Sequence, residues 1–336
     1  MTPHNRIRRA LEVAHRIADA RDPLGVRARQ RLVALGTLSE AGVELALSQH
    51  LETSVSDRDL ASFVQRSTPA PRCHVMLAAN VCTAALRAVA HALAVAAEVY
   101  VRPSRRDPVL AELLCEQLDG VHLVAELAPA AHDEVHLYGS DESIAELRAS
   151  LPPDVRVKAH GSGMGAAVID TPSADAATLL ARDLAAFDGA GCLSPRFVFA
   201  PDAVAFGARL NAALVSLARD NPRGTLPEQS RSALAQYART MAAVGHVHVT
   251  PHHLVAIDPE PNELLLPPVG RAICVVEHRL DAQVAHERLG SLARFVTCVA
   301  GQRLDPPTWR RLWPHVRVCE LGRMQQPPFD GPVDLR

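Results

Sequence analysis

The chain has 336 residues, 48% of them hydrophobic, with 35 Lys and Arg against 37 Asp and Glu and a formal net charge of −2. That length suffices for one large or two medium domains with a real core. Near-balanced charge gives no electrostatic reason to expect nucleic acid as a partner.

The first twenty residues are charged throughout and lack an apolar core segment, so no signal peptide is expected. Residues 84–101 are the most apolar stretch, but Arg87, His91 and Glu98 interrupt it. It reads as a buried helix leading into a strand, with no membrane span. Cysteines stand at 73, 82, 115, 192, 274, 298 and 319 with no CxxC pair, which argues against a zinc site; no metal is expected. Reduced thiols and a cytoplasmic location follow as expectations. Lys158 is the sole lysine.

In chain order, residues 1–66 read as helical. Ile7, Leu11, Ala14 and Ile17 recur at helical spacing, and a second segment covers 38–51. Residues 67–72 form a breaker-rich loop. Strands are then predicted over 73–79, 98–102, 121–127 and 134–138, alternating with helices over 83–96 and from 108 to 118. Gly139 precedes another helix, with Ser140 or Asp141 as its cap. This alternation predicts a parallel sheet with right-handed crossovers. Strands over 155–158 and 166–170 flank a glycine-rich turn. A helix over 174–187, a strand over 196–200 and a long helix over 202–218 follow. Beyond about residue 220 the chain is proline-rich and harder to divide, with strands expected over 246–249, 273–277 and 296–299. No internal repeat or low-complexity tract is visible.

The informative segment is Asp188-Gly189-Ala190-Gly191-Cys192-Leu193-Ser194-Pro195-Arg196. A cysteine after two close glycines, between a helix and a strand, sits where the backbone can bend tightly and expose a side chain. A thiolate nucleophile there needs a pKa lowered from the free value of about 8.5. A buried small residue in a turn is the plainer alternative.

Gly191-Cys192 with Arg196 four residues on resembles the nucleophile segment of the aldehyde dehydrogenase superfamily. Cys192-Leu193-Ser194-Pro195-Arg196-Phe197-Val198-Phe199 is closer to the acyl-CoA reductases of the bacterial-luminescence type, which make fatty aldehydes. Leu77-Ala78-Ala79-Asn80 resembles the strand end that carries the superfamily's oxyanion asparagine. Val99-Tyr100-Val101-Arg102-Pro103-Ser104 resembles the strand that holds the cofactor ribose, and Leu137-Tyr138-Gly139-Ser140 the turn near its phosphates. Gly322-Arg323-Met324-Gln325-Gln326-Pro327-Pro328 resembles the end of the reductase family. Taken singly each motif is weak; in family order they support one another.

The resemblance implies an α/β, aldehyde-dehydrogenase-like fold: N-terminal helices and two parallel-sheet domains with the active site between them. Residues 1–158 would bind NAD(P), residues 159–318 would carry the nucleophile, and 319–336 would form a tail. It implies Cys192 and Asn80 as catalytic residues, with Arg102, Ser104, Gly139 and Ser140 at the cofactor. The reaction would convert acyl-CoA, or another acyl thioester, to an aldehyde with NADPH, or NADH. Arg102 in place of the family lysine, near Arg105 and Arg106, favours NADPH because a guanidinium suits a phosphate.

Two segments depart from the superfamily. The glutamate that activates water in aldehyde-oxidising enzymes has no counterpart in residues 157–163 (Val-Lys-Ala-His-Gly-Ser-Gly), which favours reduction over hydrolysis. His160 offers an acid or base there, or a structural histidine. The cofactor-orienting glutamate is not evident either; residues 265–271 occupy its place. An aldehyde-oxidising dehydrogenase and a truncated, non-catalytic subunit of a biosynthetic complex therefore remain as alternatives. A homodimer or biosynthetic partner proteins stay open. The glycines at 161, 163 and 165 do not open a helix and are set aside as a dinucleotide fingerprint. His246, His248, His252 and His253 lack a Cys or carboxylate at ligand spacing.

Overall fold

Two sheets with different strand orders organise the chain. The computed structural model describes residues 1–260, 263–278 and 281–336. Its contacts divide into a first unit (Met1–Leu35, Val43–Ser162, Pro328–Val333) and a second (Gly36–Gly42, Gly163–Pro327, Asp334–Arg336). Residues 319–336 are thus shared between the two.

The N-terminal helices are α1 (Pro3–Ala18), α2 (Pro23–Leu35), α3 (Glu40–Leu45), which continues into a short π-helical turn, and α4 (Asp57–Gln65). Thr2 caps α1 by accepting the Asn5 amide, and Pro3 fits the first turn because its missing N–H would be unpaired there. Ile7, Leu11, Ala14 and Ile17, the residues at helical spacing, are all buried.

The first unit's sheet contains β1 (Arg72–Met76), β2 (Glu98–Arg102), β3 (Val121–Leu123), β4 (Glu134–Tyr138) and β5 (Arg156–His160). Their order is β3-β2-β1-β4-β5, and every neighbouring pair is parallel. Helices α5 (Ala84–Val95), α6 (Val109–Gln117) and α7 (Asp141–Ser150) make the crossovers. The strand order reverses between β1 and β4. Such a switch point opens a crevice at the carboxyl ends of the strands, where open α/β sheets bind ligands.

Helix α5 is buried all round, which explains its apolar sequence, and its two polar interruptions have partners inside the unit. The Arg87 guanidinium donates to Glu52 at 2.6 and 2.9 Å and to the carbonyls of Pro328 (2.8 Å) and Gly331 (3.0 Å). It also lies 4.8 Å above the Phe329 ring, and Phe329 stacks on Phe63 at 5.0 Å. His91 packs against His136, ring centroids 4.4 Å apart. Among the described residues no helix is long and apolar enough to cross a membrane.

The second sheet contains β6 (Met164–Val168), β7 (Pro195–Ala200), β8 (His246–Val249), β9 (Leu254–Asp258), β10 (Ala272–Glu277), β11 (Val296–Gly301) and β12 (Arg317–Glu320). Its order is β12-β11-β6-β7-β10-β9-β8. The helices are α8 (Ala174–Ala185), α9 (Ala203–Asp220), α10 (Glu228–Ala242), α11 (Ala282–Leu289) and α12 (Pro306–Leu312). All pairings are parallel except β8 with β9, which is antiparallel. Only residues 250–253 join those two strands, with the Thr250 amide bonded to the His253 carbonyl. So short a link permits a hairpin but no parallel crossover.

Asp183, buried on α8, accepts the amides of Gly322 (2.6 Å) and Met324 (3.0 Å) and so ties down the Gly322-Arg323-Met324 motif. Burial pushes its carboxyl pKa up to about 7, against the pull of those two amides.

Candidate active site

In the first unit the candidate residues gather at one edge of the sheet. Asn80 is exposed on the loop that follows β1. Arg102 is half-buried as the last residue of β2, in register with Met76 of β1. Ser104 lies two residues on, where its hydroxyl accepts the Arg106 amide at 3.3 Å and shapes the turn. Gly139 follows β4, and Ser140 caps α7 by accepting the Ser143 amide at 3.2 Å. All five therefore stand at the carboxyl ends of β1, β2 and β4, the three strands flanking the order reversal.

Of these, the residues that could hold a nicotinamide dinucleotide are Arg102, Ser104, Gly139 and Ser140. Arg102 is partly accessible there, and a Cβ built on Gly139 would touch only Met76, Ile144 and Ser143, at 3.7 Å or beyond. Those are ordinary van der Waals distances, so packing within the unit does not itself demand glycine there. Asp141 and Glu142 in the first turn of α7 oppose a pyrophosphate on the axis of that helix. His160 ends β5, buried and stacked on Tyr138 at 4.5 Å.

Cys192 belongs to the second unit and precedes β7, beside the amino-terminal ends of β6 and β11. Its turn is fixed on all sides. Ser194 accepts the Gly191 amide through Oγ at 3.2 Å and donates its own amide to the Gly191 carbonyl at 3.0 Å. Gln325 also donates to Ser194 Oγ at 3.3 Å, and the Gly165 amide donates to the Ser194 carbonyl at 2.8 Å. The Thr297 hydroxyl is shared between the carbonyls of Cys192 (2.5 Å) and Met164 (3.1 Å). Glycine is demanded by packing at 163, where a Cβ would lie 2.9 Å from Cys192 Cβ and 2.8 Å from Thr297 Cγ2.

The turn is entered through unusual backbone. Phe187 (φ 51°), Asp188 (φ 53°) and Gly189 (φ 69°) are all left-handed, a conformation costly for the two non-glycine residues. The Asp188–Arg271 ion pair holds it. Arg271, itself at φ 58° and 1% exposed, donates from Nε to Asp188 at 2.7 Å and from Nη1 to the Asn221 carbonyl at 2.8 Å. Backbone bonds run in parallel: the Arg271 amide donates to the Asp188 carbonyl at 3.0 Å, and the Gly224 amide to its carboxylate at 2.9 Å. Burial raises the Asp188 pKa and lowers that of Arg271, while their mutual contact opposes both shifts.

The electrostatics of Cys192 differ from the sequence expectation. The residue is partly accessible, yet crowding of the sulfur by protein pushes its pKa up to about 11 instead of lowering it. Asp334 adds to the rise, while Arg336, the residue's own backbone N–H and Arg317 work against it. Arg196, also singled out by the motif, is buried on β7 and donates to the Pro268 carbonyl at 2.9 Å. Sequence reasoning missed Arg271, Thr297, Asp334 and Arg336. Asp188 stood within the motif, but its partner lies 83 residues away with no local signal.

Solved structures identify the fold. A NAD-dependent benzaldehyde dehydrogenase from Corynebacterium glutamicum superposes with a TM-score of 0.69 at 17% identity, covering 95% of this chain and 81% of that one. An oxidoreductase from Marinobacter aquaeolei gives 0.72 at 11% identity, covering 100% and 85%. PnpE from Pseudomonas sp. WBC-3 gives 0.71 at 14% identity, covering 96% and 77%. The chain thus has the aldehyde-dehydrogenase-like fold. A model of the family "Acyl-CoA reductase (LuxC)" matches residues 120–335, and the chain belongs to that family. That match includes Gly139, Ser140 and Cys192; Asn80, Arg102 and Ser104 precede it. No curated protein shows a significant sequence match.

Replacing Arg271 with Met should destabilise the protein by about 3–5 kcal/mol, because Asp188 is left as an uncompensated buried charge. The double variant Asp188→Asn/Arg271→Met should recover part of that loss. Urea denaturation of the three proteins is the measurement, and a midpoint unmoved in Arg271→Met would show that the pair does not hold the turn.

Proposed function

We propose that the protein reduces acyl-CoA, or another acyl thioester, to an aldehyde with NAD(P)H through a thioester on Cys192. Family membership supports the substrate class and the oxidoreductase activity. The observation that carries the residue assignment is the Cys192 turn itself. It is locked from four directions, partly accessible, and flanked by Gly163, which brings no side chain. A fixed turn that leaves the cysteine partly accessible is what a nucleophile needs.

In this reading Cys192 attacks the thioester carbonyl as the thiolate, the sulfur of CoA leaves and takes up a proton, and the acyl group stays on Cys192. The amide of Asn80 donates to the oxygen on which negative charge develops. The Cys192 backbone N–H, which favours its own thiolate, is the second donor that this reading assigns to the same oxygen. Thr297, bonded to the Cys192 carbonyl, keeps the peptide unit in place through the reaction. NAD(P)H, when bound, supplies the hydride that reduces the acyl carbonyl, and Arg102, Ser104, Gly139 and Ser140 are the residues that would hold it. Collapse of the resulting thiohemiacetal on Cys192 releases the aldehyde and returns the thiolate. One thioester, one hydride and one proton give one aldehyde and one free thiol. The absence of a carboxylate from residues 157–163 favours this direction, since an acyl-enzyme that awaits reduction is served by a site without a base for water. The accessible Arg102, with exposed Arg105 and Arg106 nearby, favours NADPH over NADH.

Peptide mass spectrometry after incubation with a panel of acyl-CoAs should find the acyl adduct on Cys192, discharged when NADPH is added. Cys192→Ala should form no adduct; turnover retained in that variant removes the mechanism. Asn80→Ala should lower kcat by about 10²–10³ with a smaller effect on KM. A change confined to KM would count against the oxyanion role. Fluorescence titration should show tighter NADPH than NADH binding, with the difference reduced in Arg102→Gln. Equal affinities in the parent would remove the NADPH preference, and no binding of either would favour a non-catalytic relative.

A further inference from the structure

The short segment Asp334–Arg336 belongs to the second unit and reaches the nucleophile. A Cβ built on Gly163 would stand 2.9 Å from Cys192 Cβ and 3.4 Å from Arg336 Nη2. One glycine therefore separates the cysteine from a guanidinium. Asp334 is 5% exposed, and Arg336 grips its carboxylate from Nη2 at 2.6 Å and from Nε at 2.9 and 3.1 Å. The backbone amide of Arg336 adds a bond at 3.0 Å to the same carboxylate, and Nη1 is anchored on the Arg294 carbonyl at 2.8 Å.

We propose that Asp334 and Arg336 are positioning residues for the nucleophile: a buried carboxylate and a guanidinium of opposite sign that set how readily Cys192 gives up its proton. The inference rests on the reading of Cys192 as the nucleophile. Charges this close in a partly dry site act strongly on a thiol, because the effective dielectric is far below that of water. Asp334 favours the thiol; Arg336 and, from β12, Arg317 favour the thiolate. Gly163 and Thr297 of β11, which also lie against Cys192, carry no charge. Burial thus holds the cysteine protonated at rest, with Asp334 adding to it and a cation in place to stabilise the thiolate once the carboxylate's influence is offset.

The test is the rate of iodoacetamide alkylation at Cys192 in the full chain, read by peptide mass spectrometry from neutral to alkaline pH. Asp334→Asn should speed the reaction by about three- to tenfold, and Arg336→Gln should slow it by a similar factor, since one pKa unit is tenfold in thiolate. Arg336→Lys should stay near the parent. Changes in the same direction, or an unchanged rate in either neutralising variant, overturn the proposal. Cys73 and Cys274 are buried, and their continued protection shows that a variant is folded. If Arg336→Gln unfolds, Asp334→Asn carries the test alone, and a rate equal to or below the parent's overturns the proposal. Alkylation needs neither thioester nor cofactor. Opposed shifts without NADPH-dependent turnover would sink the reductase reading and leave this inference standing; turnover without the shifts would do the reverse.

Discussion

A single buried ion pair underlies the geometry of the nucleophile. Asp188 and Arg271 meet in a site almost closed to solvent, and each is held by further bonds from Asn221 and Gly224. Removing two charges from water is costly, and their attraction offsets that cost only when the remaining hydrogen-bonding capacity is also satisfied. Here it is well used. What the arrangement secures is a run of left-handed residues that an ordinary turn would not sustain. The turn carrying Cys192 begins at the end of that run, so the placement of one sulfur atom depends on a contact between residues far apart in sequence.

The two units present their candidate residues by different ends of their strands. In the first, Asn80, Arg102, Ser104, Gly139 and Ser140 lie at or just beyond the carboxyl ends of neighbouring parallel strands, where the backbone emerges at a reversal of strand order. In the second, Cys192 precedes its strand and is stabilised by residues entering β6 and β11. Loops after parallel strands supply separable positions that can vary one at a time. A residue wedged ahead of a strand has less freedom, because its carbonyl and those of its neighbours are drawn into the sheet's own bonding.

Much of this was legible in the sequence where local rules suffice. β2 and β4 coincide with their predicted limits, Ser140 is one of the two caps expected for α7, and α5 is the buried helix expected from its composition. β1 and β3 are shorter than predicted, ending at Met76 and Leu123. Beyond residue 220 the expected strands over 246–249, 273–277 and 296–299 are present as β8, β10 and β11, whereas β9 and β12 were not foreseen. β9 is buried at every position, so it shows no alternation, and β12 has only four residues. The cysteine turn announced itself through its glycines, but its supports did not. Arg271, Thr297 and Asp334 act through tertiary contacts that no spacing rule encodes. The ionisation of Cys192 was opposite in direction to the sequence expectation because burial, invisible in a linear motif, dominates it.

The path of the chain bears on how it is made. Phe329 and the carbonyls of Pro328 and Gly331 complete the surroundings of Phe63 and Arg87 in the first unit, yet a ribosome delivers them only after nearly all of the second unit has emerged. Until then Arg87 lacks two of its acceptors and the Phe63 ring lacks its stacking partner. Domains commonly close in the order of synthesis; this one begins first and closes late, so a nascent chain stalled before residue 328 would carry an unfinished core for a chaperone to shield.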